Sequence, residues 1–251
     1  MTTREETCAF LDRLLDIRGM EDSSLNGLQV QGAAEVTKVG LATDAALATY
    51  RRAAEEGCQF LFVHHGLFWG GPAPITGRIH DHVRFLLEHD LSLYAAHLPL
   101  DAHPGLGNNA RLAEMIDLDD TQPFGDYHGN ALGFVGRLPS PLTLDDLAAR
   151  FAALVGGAPR TLAFGPHAIS TLAIVSGGGS GDLPLAIDAG LDCFVTGEGR
   201  HENHHLALEG GINVLYLGHY ASETAGVRAV GEALEREFGL ATVFIDEPTA
   251  F

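Results

Sequence analysis

Three apolar runs in this chain end in side chains able to bind a metal ion. Phe60-Leu61-Phe62-Val63 closes on His64-His65-Gly66, and Leu93-Tyr94-Ala95-Ala96 closes on His97, with Asp101 four residues on. Val214-Leu215-Tyr216-Leu217 closes on Gly218-His219, with Glu223 four residues on. Short runs rich in branched and aromatic residues read as buried strands. Imidazoles and carboxylates carried to one rim by strand ends form a nitrogen-and-oxygen donor set suited to zinc, manganese, iron or cobalt. Two such ions about 3.5–4 Å apart turn water into a nucleophile near neutral pH. Neighbouring residues on a strand point to opposite faces. His64 and His65 therefore share one ion after a turn that Gly66 permits, or serve one ion each.

Other residues could complete such a site. His97 reads as a residue that steadies a ligand or carries a proton toward substrate, with a satisfied core histidine as the competing reading. Asp101 reads as a ligand or bridge, against a plain turn cap. Glu198, at the end of the run closing in Thr196-Gly197-Glu198, is the second catalytic candidate. His205, beside His201 and His204, is a candidate substrate contact. The loop Ser176-Gly177-Gly178-Gly179-Ser180-Gly181 suits a phosphate cradle or a flexible turn. The segment from Ala102 to Asn109 offers amides to a ligand, or a helix cap at Asn108 or Asn109.

The elements that must position these groups follow from periodicity. Thr2 or Thr3 with Glu5 and Glu6 starts a capped helix whose buried face holds Phe10, Leu11, Leu14 and Leu15. After a polar loop from Asp22 to Val30, strands at 36–42, 59–63 and 91–96 alternate with helices at 45–56, 78–89 and from 108. A strand at 131–138 and a helix at 144–155 come next. Strands at 171–176, 192–196 and 214–217 then alternate with helices at 183–189, 203–209 and 223–238, and a strand at 242–245 closes the chain. Such alternation predicts two α/β lobes with mixed, mainly parallel sheets flanked by helices. The expected division is 1–126, carrying His64, His65 and Asp101, and 127–251, carrying His219 and Glu223, with a metal site in the cleft between the lobes.

Composition excludes several functions. The 251 residues include 33 acidic and 15 basic side chains, a net charge of −18, which repels nucleic acid and anionic membranes. Cys8, Cys58 and Cys193 are too widely spaced for a thiolate metal site and read as small core residues. No apolar stretch approaches the roughly 18 residues of a membrane span, and no signal segment opens the chain, so a cytoplasmic protein is expected.

Several blocks together are specific. Asn26-Gly27-Leu28-Gln29-Val30, Val63-His64-His65-Gly66-Leu67-Phe68-Trp69, His97-Leu98-Pro99-Leu100-Asp101, Thr196-Gly197-Glu198 and Gly218-His219-Tyr220-Ala221-Ser222-Glu223 resemble those of the NIF-three-like family, whose members carry the label GTP cyclohydrolase 1 type 2 homologue. The resemblance runs from about residue 5 to 247. It implies two divalent ions held by His64, His65, Asp101, His219 and Glu223, and a ring-shaped homohexamer built as a trimer of dimers. It also implies a metal-dependent hydrolase opening cyclic C–N bonds of a small nucleotide or pterin-like substrate. The alternative is a non-catalytic metal-binding regulatory or partner protein. Arg78 and Arg200 are the cations nearest the motifs, each readable as a surface charge.

Overall fold

The structure, a computed structural model, describes residues 2–250. It divides into two compact units: residues through His103 together with Gly226–Glu247, and Pro104–Ala225 together with the residues from Pro248. This differs from the expected division at 126–127. The first unit is discontinuous because the C-terminal strand pairs with the sheet of the N-terminal segment.

In chain order the first unit begins β1 (Thr2–Thr3), α1 (Arg4–Leu14), β2 (Gly27–Val30), β3 (Glu35–Val36) and β4 (Lys38–Asp44). It continues α2 (Leu47–Glu55), β5 (Phe60–His65), α3 (Gly77–Glu88), β6 (Ser92–Ala95) and α4 (Leu98–Asp101). Thr3 caps α1: its hydroxyl accepts the Glu6 amide at 3.2 Å while the Glu6 carboxylate accepts the Thr3 amide at 2.9 Å. Leu11 and Leu15 are buried as expected, and Phe10 and Leu14 pack at the edge of the same cluster.

The second unit holds α5 (Asn108–Met115), β7 (Asp119–Phe124), β8 (Gly133–Leu142), α6 (Leu144–Val155), β9 (Arg160–Ala163) and β10 (Ile169–Val175). After a 3-10 turn at Gly179–Asp182 come α7 (Leu183–Asp188), β11 (Cys193–Thr196), α8 (Asn203–Gly210), β12 (Asn213–Tyr216) and α9 (His219–Ser222). The chain closes with α10 (Thr224–Phe238), in the first unit from Gly226, and β13 (Ala241–Phe244).

The first sheet has the order β13-β4-β5-β6-β2, parallel except for the antiparallel edge strand β2. Its central strand alternates with period two. Phe60 and Phe62 face a core shared with α1 and α10, while Leu61 and Val63 face the side covered by α2 and α3. Both faces are dry, which explains the unbroken apolar run.

The second sheet, β7-β8-β10-β11-β12-β9, departs from the mainly parallel expectation. Only β10·β11 and β11·β12 are parallel; β7·β8, β8·β10 and β9·β12 are antiparallel. The segment 117–142 forms the β7–β8 pair, and β7 carries mostly exposed residues, so it lacks the apolar signature of a buried strand. Helices α5 and α6 cover one face, and α7 and α8 the other. Among the described residues no helix is long and apolar enough to cross a membrane. Cys58 and Cys193 are buried and Cys8 is half-buried, and burial pushes all three thiols up, Cys58 to about 11.

Candidate metal centre

In the first unit the tandem histidines sit at the carboxyl end of β5, flanked by the ends of its two neighbours. His64 Nδ1 lies 3.0 Å from the carbonyl oxygen of Ala96, just past β6. His65 Nδ1 lies 2.8 Å from Asp44 Oδ1, at the end of β4 and in register with His65. Carbonyl and carboxylate oxygens only accept, so both Nδ1 atoms carry the proton. The lone pair of each neutral ring is then on Nε2, the tautomer a metal ligand needs. Although the two residues start from opposite faces, their ring centroids are 4.7 Å apart.

His97 joins them, its ring 5.0 Å from His64 and 5.6 Å from His65. One ligand atom from each of His64, His65 and His97 lies within 4.8 Å of the others, a spacing a metal ion can bridge. His97 is braced by Asp22, whose carboxylate oxygens lie 3.0 and 3.2 Å from Nδ1. Burial alone would raise the Asp22 carboxyl. Hydrogen bonds from His97, Asn26 and the Ser24 amide, with the His97 charge, outweigh it and hold the group at about 2.

Asp101 is buried at the end of α4, its Oδ2 3.4 Å from His64 Nε2. Pro99 enters this single turn in the first helical positions, where no amide is needed.

The Asn26–Val30 block explains itself as scaffolding. Asn26 accepts the His97 amide at 2.8 Å and donates to Asp22 at 2.9 Å. Gln29 accepts the Leu67 amide at 2.7 Å, pinning the chain after Gly66. A Cβ on Gly66 would sit 2.3 Å from Gln29 Nε2 and 2.7 Å from Ala95 Cβ, so only glycine fits there. Trp69 donates to the Gly66 carbonyl at 2.8 Å and its ring meets His97 edge-on at 4.9 Å.

In the second unit His219 stands between two carboxylates. Its Nε2 lies 3.3 Å from Glu223 Oε2 and its Nδ1 3.3 Å from Glu198 Oε1. Glu223 is buried and Glu198 exposed. The hydrogen bond to Glu223 raises the His219 pKa to about 9, against a desolvation effect, with both carboxylate charges contributing. Glu223 was expected to open the helix at 223–238. Instead His219–Ser222 is a separate turn entered through Gly218 at φ 97°, and Glu223 caps its C-terminus before α10 starts.

The glycine-rich loop has a packing role that its composition left open. Gly177 has φ 58°, and a Cβ there would lie 1.9 Å from Glu223 Oε1 and 3.2 Å from His219 Nε2. Its amide donates to Ser222 Oγ at 2.9 Å, and its carbonyl accepts the Glu198 amide at 3.0 Å. Asn109, buried in α5 behind the N-cap Gly107, accepts the Ser176 amide at 2.7 Å and so anchors the loop. His201, His204 and His205 are exposed, and Arg78 lies on the exposed start of α3.

Sequence reasoning missed Asp22 and Asp44, and it offered Asn109 only as a helix cap, a place that Gly107 takes. Asp44 carried a usable signal, since it ends β4 as His65 ends β5. Asp22 meets His97, and Asn109 the Ser176 amide, through tertiary contacts.

The whole described chain, residues 2–250, matches the family model DUF34/NIF3 (NGG1p interacting factor 3). The GTP cyclohydrolase 1 type 2 homolog of Deinococcus radiodurans is 44% identical, covering 98% of this chain and 94% of the relative. The protein of the same name from Archaeoglobus fulgidus is also 44% identical, covering 97% of this chain and 98% of that one. Among solved structures, TTHA1606 from Thermus thermophilus superposes with a TM-score of 0.93 at 43% identity over 100% of both chains. Reduced HcgD from Methanocaldococcus jannaschii does so with a TM-score of 0.87 at 27% identity over 98% of both. On the whole-chain family match and these identities, the protein belongs to the DUF34/NIF3 family.

Proposed function

We propose that this protein is a divalent-metal-dependent hydrolase that opens a cyclic C–N bond in a small nucleotide or pterin-like substrate. It holds two ions with His64, His65, Asp101, His219 and Glu223 as ligands. One observation carries the reading: His64, His65 and His97 each engage an oxygen acceptor through Nδ1, while their ligand atoms gather within 4.8 Å. Structural histidines have no reason to share one tautomer and converge. The relatives named GTP cyclohydrolase 1 type 2 homolog support this reaction class.

When bound, a pair of divalent ions supplies a water-derived nucleophile and polarises the attacked carbon. The protein's own groups orient and transfer protons. The Ala96 carbonyl and Asp44 aim the tandem histidines, and Asp22 holds His97 with Nε2 as its proton-exchanging atom. Glu198 Oε1 orients His219 and takes up a proton near it. The protein acts in the cytoplasm with neither nucleic acid nor membrane as partner.

The test combines stoichiometry and turnover. Metal-free protein is titrated with Zn²⁺, Mn²⁺, Fe²⁺ or Co²⁺ and the ions counted by elemental analysis, with two per chain expected. Trp69, the only tryptophan, lies 4.9 Å from His97 and 6.1 Å from His65, so Co²⁺ should quench its fluorescence. Loaded protein is then assayed for formate release from GTP and related compounds. Binding that survives both His64→Ala and His219→Ala, or turnover indifferent to His64→Ala, sinks the proposal. The family description "interacting factor" favours a second reading, a metal-binding partner protein, which predicts stoichiometric ions with no turnover on any of these compounds.

A further inference from the structure

A second feature of the Pro104–Ala225 unit goes beyond the metal ligands. Strand β9 pairs antiparallel with β12, setting Arg160 opposite Tyr216. Together with the segment after β11, these strands line a cavity of about 730 Å³. Its walls carry Arg160, Arg200, His201, His204 and His205, with Leu162 and Tyr216 as apolar surface. Among the described residues Glu198 is the only carboxylate on the wall, and it faces His219 Nδ1 at 3.3 Å. Neither arginine side chain has a carboxylate partner among the described residues. In a chain carrying a net charge of −18, two such guanidiniums against a single carboxylate on one cavity form a local reversal of sign.

The cavity is built for a ligand with a flat or apolar part as well. A Cβ on Gly199 would lie 2.5 Å from Tyr216 Cε1 and 2.9 Å from its hydroxyl, so glycine lets the phenol ring lie against the backbone. Burial raises the Tyr216 hydroxyl, with Arg160 opposing, which keeps it a hydrogen-bond donor near neutral pH. A volume of this size matches a small-molecule site. Guanidiniums suit phosphate oxygens, which they grip in bidentate fashion.

We infer that this cavity is the subsite for the phosphate-bearing end of the substrate, taken by Arg160 and Arg200, with the flat part of the ligand against Leu162 and Tyr216. The inference deepens the hydrolase reading by naming its substrate class, and binding alone decides it. The full-length protein, metal-loaded and metal-free, is titrated calorimetrically with GTP, inorganic triphosphate and guanosine. GTP and triphosphate should bind both forms, guanosine at least tenfold more weakly than GTP. An Arg160→Ala/Arg200→Ala double variant should lose at least tenfold in GTP affinity while keeping its circular dichroism and its Co²⁺ quenching of Trp69. Both arginines are exposed, so the fold does not depend on them. Guanosine binding as tightly as GTP, undiminished GTP affinity in the double variant, or no anion binding by the wild type would overturn it. Failure of metal binding or turnover alone would instead count against the hydrolase reading, because the metal-free titration is independent of both.

Discussion

Asp44 touches no candidate ion position directly, yet it decides which nitrogen of His65 can reach one. Its carboxylate holds the proton on Nδ1 at 2.8 Å. Replacing Asp44 with Ala should leave the fold intact and weaken Zn²⁺ binding by roughly 10–100-fold in a competition titration with a chromophoric chelator, as for other residues that orient a metal-binding imidazole. His219 makes a prediction of opposite character, in the metal-free protein. Its pKa is raised to about 9 from 6.5, chiefly by the hydrogen bond to Glu223. A group whose pKa is higher in the folded state stabilises fully below the unfolded value and loses that contribution as pH rises through the folded one. The urea midpoint of metal-free protein should therefore fall between about pH 6.5 and pH 9. In His219→Gln that segment of the pH profile should be flat.

Short connections, more than long helices, carry the candidate chemistry. Four such pieces matter: the step from β5 into Gly66, the single turn α4, the loop after β10, and the turn α9. Each is short because a glycine or proline sets its geometry. Gly177 is the sharpest case, with a left-handed φ of 58° and the Glu223 carboxylate where a side chain would be. Gly177→Ala should cost about 1–3 kcal/mol in chemical denaturation through backbone strain. It should also weaken metal binding, because Glu223 must move; unchanged ion stoichiometry and affinity would contradict that account. The strands that bear the site were readable because their cores are dry on both sides and their runs apolar. Strands β7 and β9 were not, since exposed edge strands carry no such pattern. The helix predicted over 223–238 omits the turn at His219–Ser222, because a single helical turn is too short to show a period of its own.

At the scale of the molecule, an acidic surface and exposed apolar side chains coexist. Leu185, Leu206 and Leu208 are exposed on α7 and α8, and Leu25, Leu28 and Ile75 on the first unit. Some apolar exposure is ordinary, but self-association would cover part of it. A homohexamer arranged as a trimer of dimers is the proposed assembly, and light scattering coupled to gel filtration should return about 160 kDa, six times the 26.6 kDa chain. A mass near that of a single chain would exclude it.

The sequence alone determined the alternation of strands and helices, the candidate ligands at the strand ends and the family, because apolar periodicity and contiguous motifs are local properties of the chain. Tertiary structure decided the rest. It chose the tautomers of His64, His65 and His97 through Ala96, Asp44 and Asp22. It turned the glycine-rich loop into a close-packed partner of Glu223, and it brought Arg160 to the cavity of Arg200. Each of those outcomes depends on which residues distant in the chain become neighbours, and pairing between strands, not composition, sets that.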